Sequence, residues 1–357
     1  MAEAKTKDVK PNVSVCILTK NDENTIQECL ESVKNFAKEI IVLDIGSTDN
    51  TVNIVRTYTN RIWGIKWNLD YSEVFNGFFK YATGEWILFL YGYEKVSIDT
   101  RHLLNNKLLD KKNIAYLFKI IQIYHEKEYA TYDIKLFRRM TEIRFKHVIN
   151  PTVNDDVQKN SKRKGLFIMP SDISIEKLYY RKYNDDSAYH SEVINLTSNA
   201  LSNMDKRPEY YVELLYKLLK GLSLAALGEE DLAEEMVSSI LEEVKHMDRK
   251  AVYNAPIFIQ AYLFFCFNYS KNKDYENAFK IIAEALDIYH NSLTVLVRYA
   301  EQQYMLQDYK GCYNSIMLLK RLLDDDDFYY LESIDFDLIE RLSLKLFHLS
   351  KNKLGMD

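Results

Sequence analysis

The sequence lacks three features that would each assign it to a broad class of protein. It has no apolar run of the roughly 18 residues that a membrane-spanning helix needs. Its four cysteines lie far apart and form no Cys-x-x-Cys pair, so we expect buried free thiols rather than a zinc site. Its net charge of -5 comes from interspersed charges of both signs, which argues against a general nucleic-acid binder.

The start of the chain, residues 1–11, is polar and lysine-rich and has no apolar signal region. We therefore expect a flexible N-terminus on a cytoplasmic protein. The rest of the 357 residues, with 47% apolar content overall, is long enough for two or three domains.

Residues 12 to about 145 alternate short apolar runs with helical patterns. This alternation predicts an α/β domain built on a parallel sheet with right-handed crossovers. A strand-rich mixed region follows, so we place the first domain at 12–185. Within it, the polar and basic stretch 150–164 predicts a flexible loop.

Polar residues follow three of the predicted strands, at 19–23, 44–47 and 91–94. In open α/β sheets, ligands bind beyond the carboxyl ends of the strands. We therefore expect these three segments to converge on one rim of the sheet and to form the functional site.

The second half, residues 186–357, is purely helical in pattern and contains a short repeated motif. An acidic residue is followed four places later by a small one at Glu229, at Asp274 and at Asp308. The last two motifs are 34 residues apart, a spacing that resembles a tetratricopeptide repeat, whereas the first interval of 45 residues needs an insertion, which we place at 246–255. We predict two or three degenerate repeats that contact a peptide or protein partner, with a non-repeating helical bundle as the alternative.

Five segments in a fixed order, 13–23, 29–33, 39–51, 67–72 and 81–90, together resemble family 2 glycosyltransferases of the GT-A fold. The helical tail is similar to that of a branch of bacterial enzymes that glycosylate peptides or proteins. The resemblance implies a UDP-type nucleotide sugar as the ligand. It covers residues 12–95 closely and 130–200 loosely.

The resemblance also implies positions for a nucleotide pocket. Thr19, Asn21 and Glu23 would lie at its edge. Asp44 would accept a hydrogen bond from the uracil ring, and Ser47 would help to cradle the nucleotide near a helix N-terminus. The alternative for Asp44 is an ordinary turn or helix-capping residue.

The chain departs from the family at the residues that would hold a metal. The family carries Asp-x-Asp after the fourth strand, and here Tyr91 and Tyr93 occupy both places. A phenol is a poor ligand for a divalent ion at neutral pH, so no metal is expected. Glu94 is only a weak candidate for a catalytic base, and Phe75 replaces an arginine that would contact the diphosphate. The later His-Glu motif is replaced by Asn-Pro at 150–151.

Three hypotheses follow. The first is a catalytically degenerate homologue that keeps a nucleotide pocket and acts as a partner or scaffold in glycosylation, pairing with an active glycosyltransferase. The second is an active, metal-independent glycosyltransferase in which basic side chains neutralise the diphosphate. The candidates for that role are Arg138, Arg139, Arg144, Arg181 and Lys182. The third is an adaptor in which Tyr91 and Tyr93 fill a closed pocket. The sequence does not indicate the sugar, the acceptor or the oligomeric state.

Overall fold

The computed structural model describes most of the chain in two compact units. The described residues are 12–66, 70–97, 110–124, 127–147, 149, 151–178, 186–203, 210–253, 255–323 and 334–356. One unit comprises Met1–Ile123 and Tyr132–Asn184, and the other comprises Tyr124–Thr131 and Asp185–Asp357.

The first unit is an α/β structure. Its strands are β1 (Val13–Thr19), β2 (Glu39–Asp44), β3 (Ile62–Gly64), β4 (Trp86–Tyr91), β5 (Glu94–Val96), β6 (Asn113–Tyr124), β7 (Lys127–Arg138) and β8 (Phe167–Lys177). Its described helices are α1 (Ile26–Val33), α2 (Thr51–Arg56), α3 (Tyr71–Gly77) and α4 (Asn154–Lys164). The alternating pattern also predicts a third strand at 63–67; the structure has β3 at Ile62–Gly64, and residue 67 lies outside the described residues.

These strands form one sheet in the order β3-β2-β1-β4-β7-β6-β8-β5. The first four strands are parallel, as predicted, and β7 then joins β4 in the antiparallel direction, so the complete sheet is mixed. The register aligns Thr19 with Asp44 and Leu18 with Tyr91. The three polar segments predicted to meet therefore do lie at neighbouring strand ends.

The core explains why β1 reads as an unbroken apolar run. Every residue of β1 is buried, because apolar clusters cover both faces of the sheet. One cluster includes α1 and the other includes α3 and Phe145. The rigid centre of the sheet fixes the strand ends that carry the site.

The prediction of a flexible loop at 150–164 was wrong, because residues from Asn154 onward form α4. The helix has acidic residues in its first turn and basic residues in its last, an arrangement that the helix dipole favours. It ends at Gly165, whose φ of 64° is the left-handed conformation that glycine adopts at helix C-termini. Its buried residues are Val157 and Asn160, and only Val157 is apolar, so the sequence shows no apolar stripe.

The second unit consists mainly of helices. They are α5 (Asp186–Asn203), α6 (Tyr210–Ala226), α7 (Glu230–Lys245), α8 (Arg249–Tyr253), α9 (Ile259–Lys271), α10 (Tyr275–Ile288), α11 (Leu293–Met305), α12 (Tyr309–Leu323) and α13 (Phe336–Leu354). A short strand, β9 (Ile334–Asp335), pairs with Tyr129 and Ala130. These two residues lie in the part of β7 that belongs to this second unit. None of the helices in the described ranges is both long and apolar enough to cross a bilayer.

Each repeated motif marks the start of a helix that follows another helix. The helices are α7, α10 and α12, and the small residues of the motifs, Ala233, Ala278 and Cys312, are fully buried in them. The extra length of the first interval corresponds to α8, within the region where the insertion was predicted. The motif therefore indicates helical hairpins with close helix packing.

The acidic residue has a structural role in two of the three motifs. Asp274 accepts a hydrogen bond from the Asn277 backbone N–H, and Asp308 accepts one from Gly311. Replacing Asp274 by alanine should cost about 1 kcal/mol of stability, the usual effect of losing such a cap. Glu229 makes no side-chain capping bond, so Glu229→Ala is the matched control with little expected effect. Urea unfolding of both variants checks this, and equal losses would contradict it.

Candidate functional site

The site is built from three loops at the carboxyl ends of β1, β2 and β4. We call residues 20–25 the first loop, residues 45–50 the second loop and residues 91–94 the tyrosine turn. Asn21 joins the first two loops: its N–H donates to Ser47 Oγ (2.9 Å), and its Oδ1 accepts from the Thr48 N–H (2.8 Å). Asn21 has a φ of 53°, a left-handed conformation that asparagine tolerates better than most residues. These bonds hold it there.

Glu23 ties the same two loops together further along. Its carboxylate accepts from the Asn50 N–H (3.0 Å), while its own N–H donates to Asp49 (3.1 Å). The Glu23 carboxylate thus lies at the start of α2, where the helix dipole favours negative charge. These hydrogen bonds join the first and second loops into one continuous surface, which we call the wall.

Asp44 is a turn residue in this structure. Its carboxylate accepts hydrogen bonds from the backbone N–H groups of Gly46 (3.2 Å) and Ser47 (3.1 Å) and from the Ser47 hydroxyl. The Ser47 N–H is shared between both carboxylate oxygens, so three donors use about four acceptor sites and leave room for at most about one more, such as an imide N–H. The contact with uracil stays a prediction.

Asp22 holds the first loop in place, a role that sequence analysis did not assign to it. It is 2% exposed and accepts from the Thr19 hydroxyl (2.7 Å) and the Lys20 N–H (3.0 Å). Its own N–H donates to Thr51 Oγ1 at the start of α2 (2.7 Å). Thr19 is itself buried, and its hydroxyl stabilises the first loop through its hydrogen bond to Asp22. The nucleotide role of Thr19 stays a prediction.

The tyrosine turn lies directly on the first loop. The Gly92 N–H donates to the Leu18 carbonyl (2.8 Å). A Cβ added to Gly92 would lie 2.4 Å from Asp22 Oδ2 and 2.8 Å from Thr19 Oγ1, closer than real Cβ contacts. Only glycine fits this approach without a shift of the turn or of Asp22.

Aromatic side chains fill the positions where the family carries its aspartates and arginine. The Tyr91 ring stacks on Tyr93 (centroids 5.1 Å apart) and packs edge-on against Phe75 (5.3 Å). The aromatic packing continues through Phe75, whose ring contacts those of Phe89 and Phe145. Burial, followed by the charge of Glu94, raises the pKa of the Tyr91 phenol well above its usual value, so the phenol is neutral at ordinary pH.

Glu94 is fully buried and paired with a lysine of β7. Its two carboxylate oxygens each lie 2.9 Å from Lys135 Nζ, and Oε2 also accepts from the Tyr91 N–H (3.1 Å). Lys135 is only 3% exposed. A catalytic role for Glu94 stays a prediction, and it would require Glu94 to separate from Lys135.

Two further charged residues complete this buried group. Burial raises the pKa of the Asp133 carboxyl, and burial lowers the pKa of the Lys177 ammonium. The charges of Glu94 and Lys135 act on both residues. Sequence analysis missed this cluster because its members come from three distant strands and each reads as an ordinary polar strand residue.

The residues of the tyrosine turn do not fit a divalent ion. Such an ion needs several hard oxygen ligands, and here the nearest carboxylate is already paired with an ammonium group. Within the part of the chain that the structure describes, no group of three or more His, Cys, Asp and Glu side chains is placed to hold a metal.

Two of the arginines proposed to neutralise a diphosphate lie at the wrong end of the sheet. Arg138 pairs in register with Trp86, at the start of β4, and its guanidinium contacts Glu85. Tyr91 is five residues further along that strand, roughly 17 Å away. Arg139 bonds to Gly84 and Glu85 at the same end.

Arg144 donates to the Ile143 carbonyl (2.7 Å) and covers the Phe79 ring. Arg181 and Lys182 lie outside the described residues. The prediction that basic side chains neutralise the diphosphate is therefore wrong for Arg138 and Arg139.

A parallel sheet continued by antiparallel strands, with loops converging at the ends of β1, β2 and β4, is the arrangement of the GT-A fold. Residues 14–91 match the family model described as glycosyl transferase family 2. The similarity to family 2 glycosyltransferases thus lies in the first unit, at residues 14–91, and the second unit is mainly helical.

Two curated relatives and one solved structure show the extent of the similarity. The SPbeta prophage-derived glycosyltransferase SunS of Bacillus subtilis is 28% identical over 219 residues, which cover 57% of this chain and 48% of SunS. A TPR repeat-containing protein of Synechococcus elongatus is 29% identical over 147 residues, covering 41% of this chain and 36% of that protein. The chain thus spans less than half the length of these relatives.

The crystal structure of S. aureus TarS 1–349 in complex with UDP-GlcNAc aligns with a TM-score of 0.40 at 16% identity. The alignment covers 77% of this chain and 90% of that chain.

Proposed function

We propose that this protein holds a UDP-type nucleotide or nucleotide sugar in the wall formed by the first and second loops, without a divalent metal and without transferring the sugar. In this proposal it acts as a partner or scaffold in peptide or protein glycosylation. The observation that carries it is the tyrosine turn, where aromatic packing and the Glu94–Lys135 pair replace oxygen ligands.

Nucleotide binding is supported by the wall itself. Asn21, Asp44 and Ser47 are linked by hydrogen bonds at the ends of adjacent parallel strands, the usual place for a ligand in such a sheet. The second loop leads directly into α2, although that helix is short. A rigid, pre-formed wall avoids the cost of ordering a loop on binding.

Loss of turnover is supported by the chemistry that sugar transfer needs. A leaving diphosphate develops negative charge that a metal ion or cations must stabilise, and the acceptor needs a base. At the tyrosine turn, the phenol of Tyr91 is neutral and Glu94 is paired internally. Arg138 and Arg139 are too remote to supply the missing positive charge.

The partner role is supported by the helical unit, whose hairpins α6–α7, α9–α10 and α11–α12 are of the kind that form protein-binding arrays. We propose a peptide, a protein acceptor or an active glycosyltransferase as the partner, with no nucleic acid. Free, buried cysteines are consistent with a reducing cytoplasm.

Calorimetry with UDP tests the proposal directly. We expect UDP to bind with the same affinity in EDTA and in Mn²⁺. Ser47→Ala should weaken binding by roughly tenfold, the effect of losing one well-placed hydrogen-bonding group. Arg138→Met, at the other end of the sheet, is the control and should leave the affinity unchanged.

A panel of sugar nucleotides incubated with the protein then separates the candidate functions. No release of UDP supports the degenerate partner. Metal-independent release, with or without a peptide acceptor, would overturn it in favour of the active enzyme. Absence of any UDP binding would leave the adaptor with a closed pocket.

A further inference from the structure

A buried positive charge, the ammonium group of Lys135, lies next to the tyrosine turn. Lys135 projects from β7 so that its ammonium lies 2.9 Å from each oxygen of Glu94. The same ammonium lies 4.3 Å from the centroid of the Phe89 ring and 5.3 Å from that of Tyr91, where the ring electrons attract a cation. A buried lysine is costly unless it is paired, and here both the carboxylate and the rings stabilise it.

A continuous chain of contacts runs from this ammonium to the nucleotide wall. Lys135 holds Glu94, and Glu94 Oε2 accepts from the Tyr91 N–H (3.1 Å). The next residue, Gly92, donates to Leu18 and lies against Asp22. Asp22 in turn fixes the first loop. We therefore expect loss of the Glu94–Lys135 pair to affect the turn and, through Asp22, the first loop.

The other charges around the pair are Asp133 and Lys177. Asp133 lies two residues before Lys135 on β7, and Lys177 is the register partner of Glu94 on β8. The cluster thus contains two carboxyl and two amino groups. Removal of Lys135 would leave two carboxyl groups facing one lysine, so the buried cluster would carry uncompensated negative charge that an added cation can neutralise.

We propose that Lys135 is a built-in cation that neutralises the buried Glu94 carboxylate of this turn in place of a divalent ion. It neutralises Glu94, positions the turn against the first loop and thereby makes the nucleotide wall independent of metal. Lys135 is a positioning residue and contacts no ligand. Its effect on UDP affinity rests on the proposed function, whereas its effect on metal-dependent stability does not.

The test is Lys135→Met, which keeps the length of the side chain and removes its charge. In the wild type, the thermal unfolding midpoint of the N-terminal unit should be the same in EDTA and in millimolar Mn²⁺ or Mg²⁺. In Lys135→Met, the midpoint should fall by about 10 °C in EDTA, because a buried carboxylate loses its partner. Mn²⁺ should recover part of that loss, since Glu94 and Asp133 become available to a metal.

UDP affinity provides the second readout. Lys135→Met should bind UDP roughly tenfold more weakly in EDTA, as expected when a residue that orients a binding group is lost. Mn²⁺ should restore part of the affinity. A residue needed only for packing would give losses that do not respond to metal.

Two control variants isolate the charge. The double variant Glu94→Gln with Lys135→Met has a neutral pair, so it should be more stable than Lys135→Met alone and indifferent to metal. Lys95→Met removes the neighbouring lysine of β5, which is partly exposed and pairs with Glu28 and Glu176. It should change neither the metal response nor UDP affinity.

The outcomes distinguish this inference from the proposed function. Unfolding of Lys135→Met that is unaffected by Mn²⁺ and Mg²⁺ overturns the inference, whatever UDP does. A wild type that binds no UDP overturns the proposed function, while the unfolding comparison still tests Lys135. If Lys135→Met is recovered only unfolded, refolding with and without Mn²⁺ is the same test: recovery only with metal supports the inference, and failure in both overturns it.

Discussion

Tyr91→Asp is expected to destabilise the N-terminal unit by about 4 kcal/mol rather than to restore a metal site. The substitution removes a ring that packs against Phe75, Tyr93 and Tyr71. It also places a second carboxylate beside Glu94, whose charge already acts on this position. Lys135 can neutralise only one of the two.

Urea unfolding of Tyr91→Asp, with and without Mn²⁺, measures this effect. Tyr91→Phe is the matched control, because it keeps the ring and removes only the hydroxyl; we expect a change of less than about 1 kcal/mol. A Tyr91→Asp variant with wild-type stability and Mn²⁺-dependent UDP-sugar hydrolysis would show that the turn is a metal site lacking one ligand, and our account of it would be wrong.

The expected failure of that single substitution has a structural reason. Phe75 is fully buried against Phe89 and Phe145, so an arginine at this position would be an unpaired buried charge. The tyrosine turn, α3 and β7 are thus adapted to one another. Restoring the family's own metal ligands and arginine at the tyrosine turn would therefore need several simultaneous changes.

The sequence predicted the parts of this arrangement that depend on local pattern. Apolar runs that alternate with helical patterns located β1, β2 and β4, and the rule for parallel sheets placed their carboxyl ends together. The same rule brought the segments 19–23 and 44–47 together, and the family resemblance pointed within them to Asn21 and Ser47, which the structure joins by a hydrogen bond. The antiparallel addition of β7 does not follow from such patterns.

Long-range pairing accounts for most of what the sequence did not reveal. Glu94 and Lys135 are 41 residues apart, and the sequence around neither residue indicates its partner. The stretch 154–164 is a helix although almost no apolar residue anchors it; the charges at its two ends and Gly165 were the available signals. Asp22 was overlooked for a related reason, since a short polar loop does not show which of its side chains turns inward.

Asp22→Ala is expected to have the second large effect, acting on the wall itself. The truncation leaves the buried Thr19 hydroxyl and the Lys20 N–H without the acceptor they share, which should cost about 3 kcal/mol of stability. It also opens space beneath Gly92, so the tyrosine turn loses the surface on which it rests. We expect UDP affinity to fall at least roughly tenfold, because the first loop no longer holds Asn21 beside Ser47.

Asp22→Asn is the matched control for this prediction. An amide oxygen can still accept from Thr19 and Lys20, so stability and UDP affinity should lie closer to wild type than to Asp22→Ala. Calorimetry and urea unfolding of the two variants distinguish the effect of losing the side chain from the effect of losing only its negative charge. If Asp22→Asn is as damaged as Asp22→Ala, the negative charge is the essential property. The wall would then depend on electrostatics around Lys20 and the tyrosine turn rather than on the hydrogen bonds that Asp22 accepts.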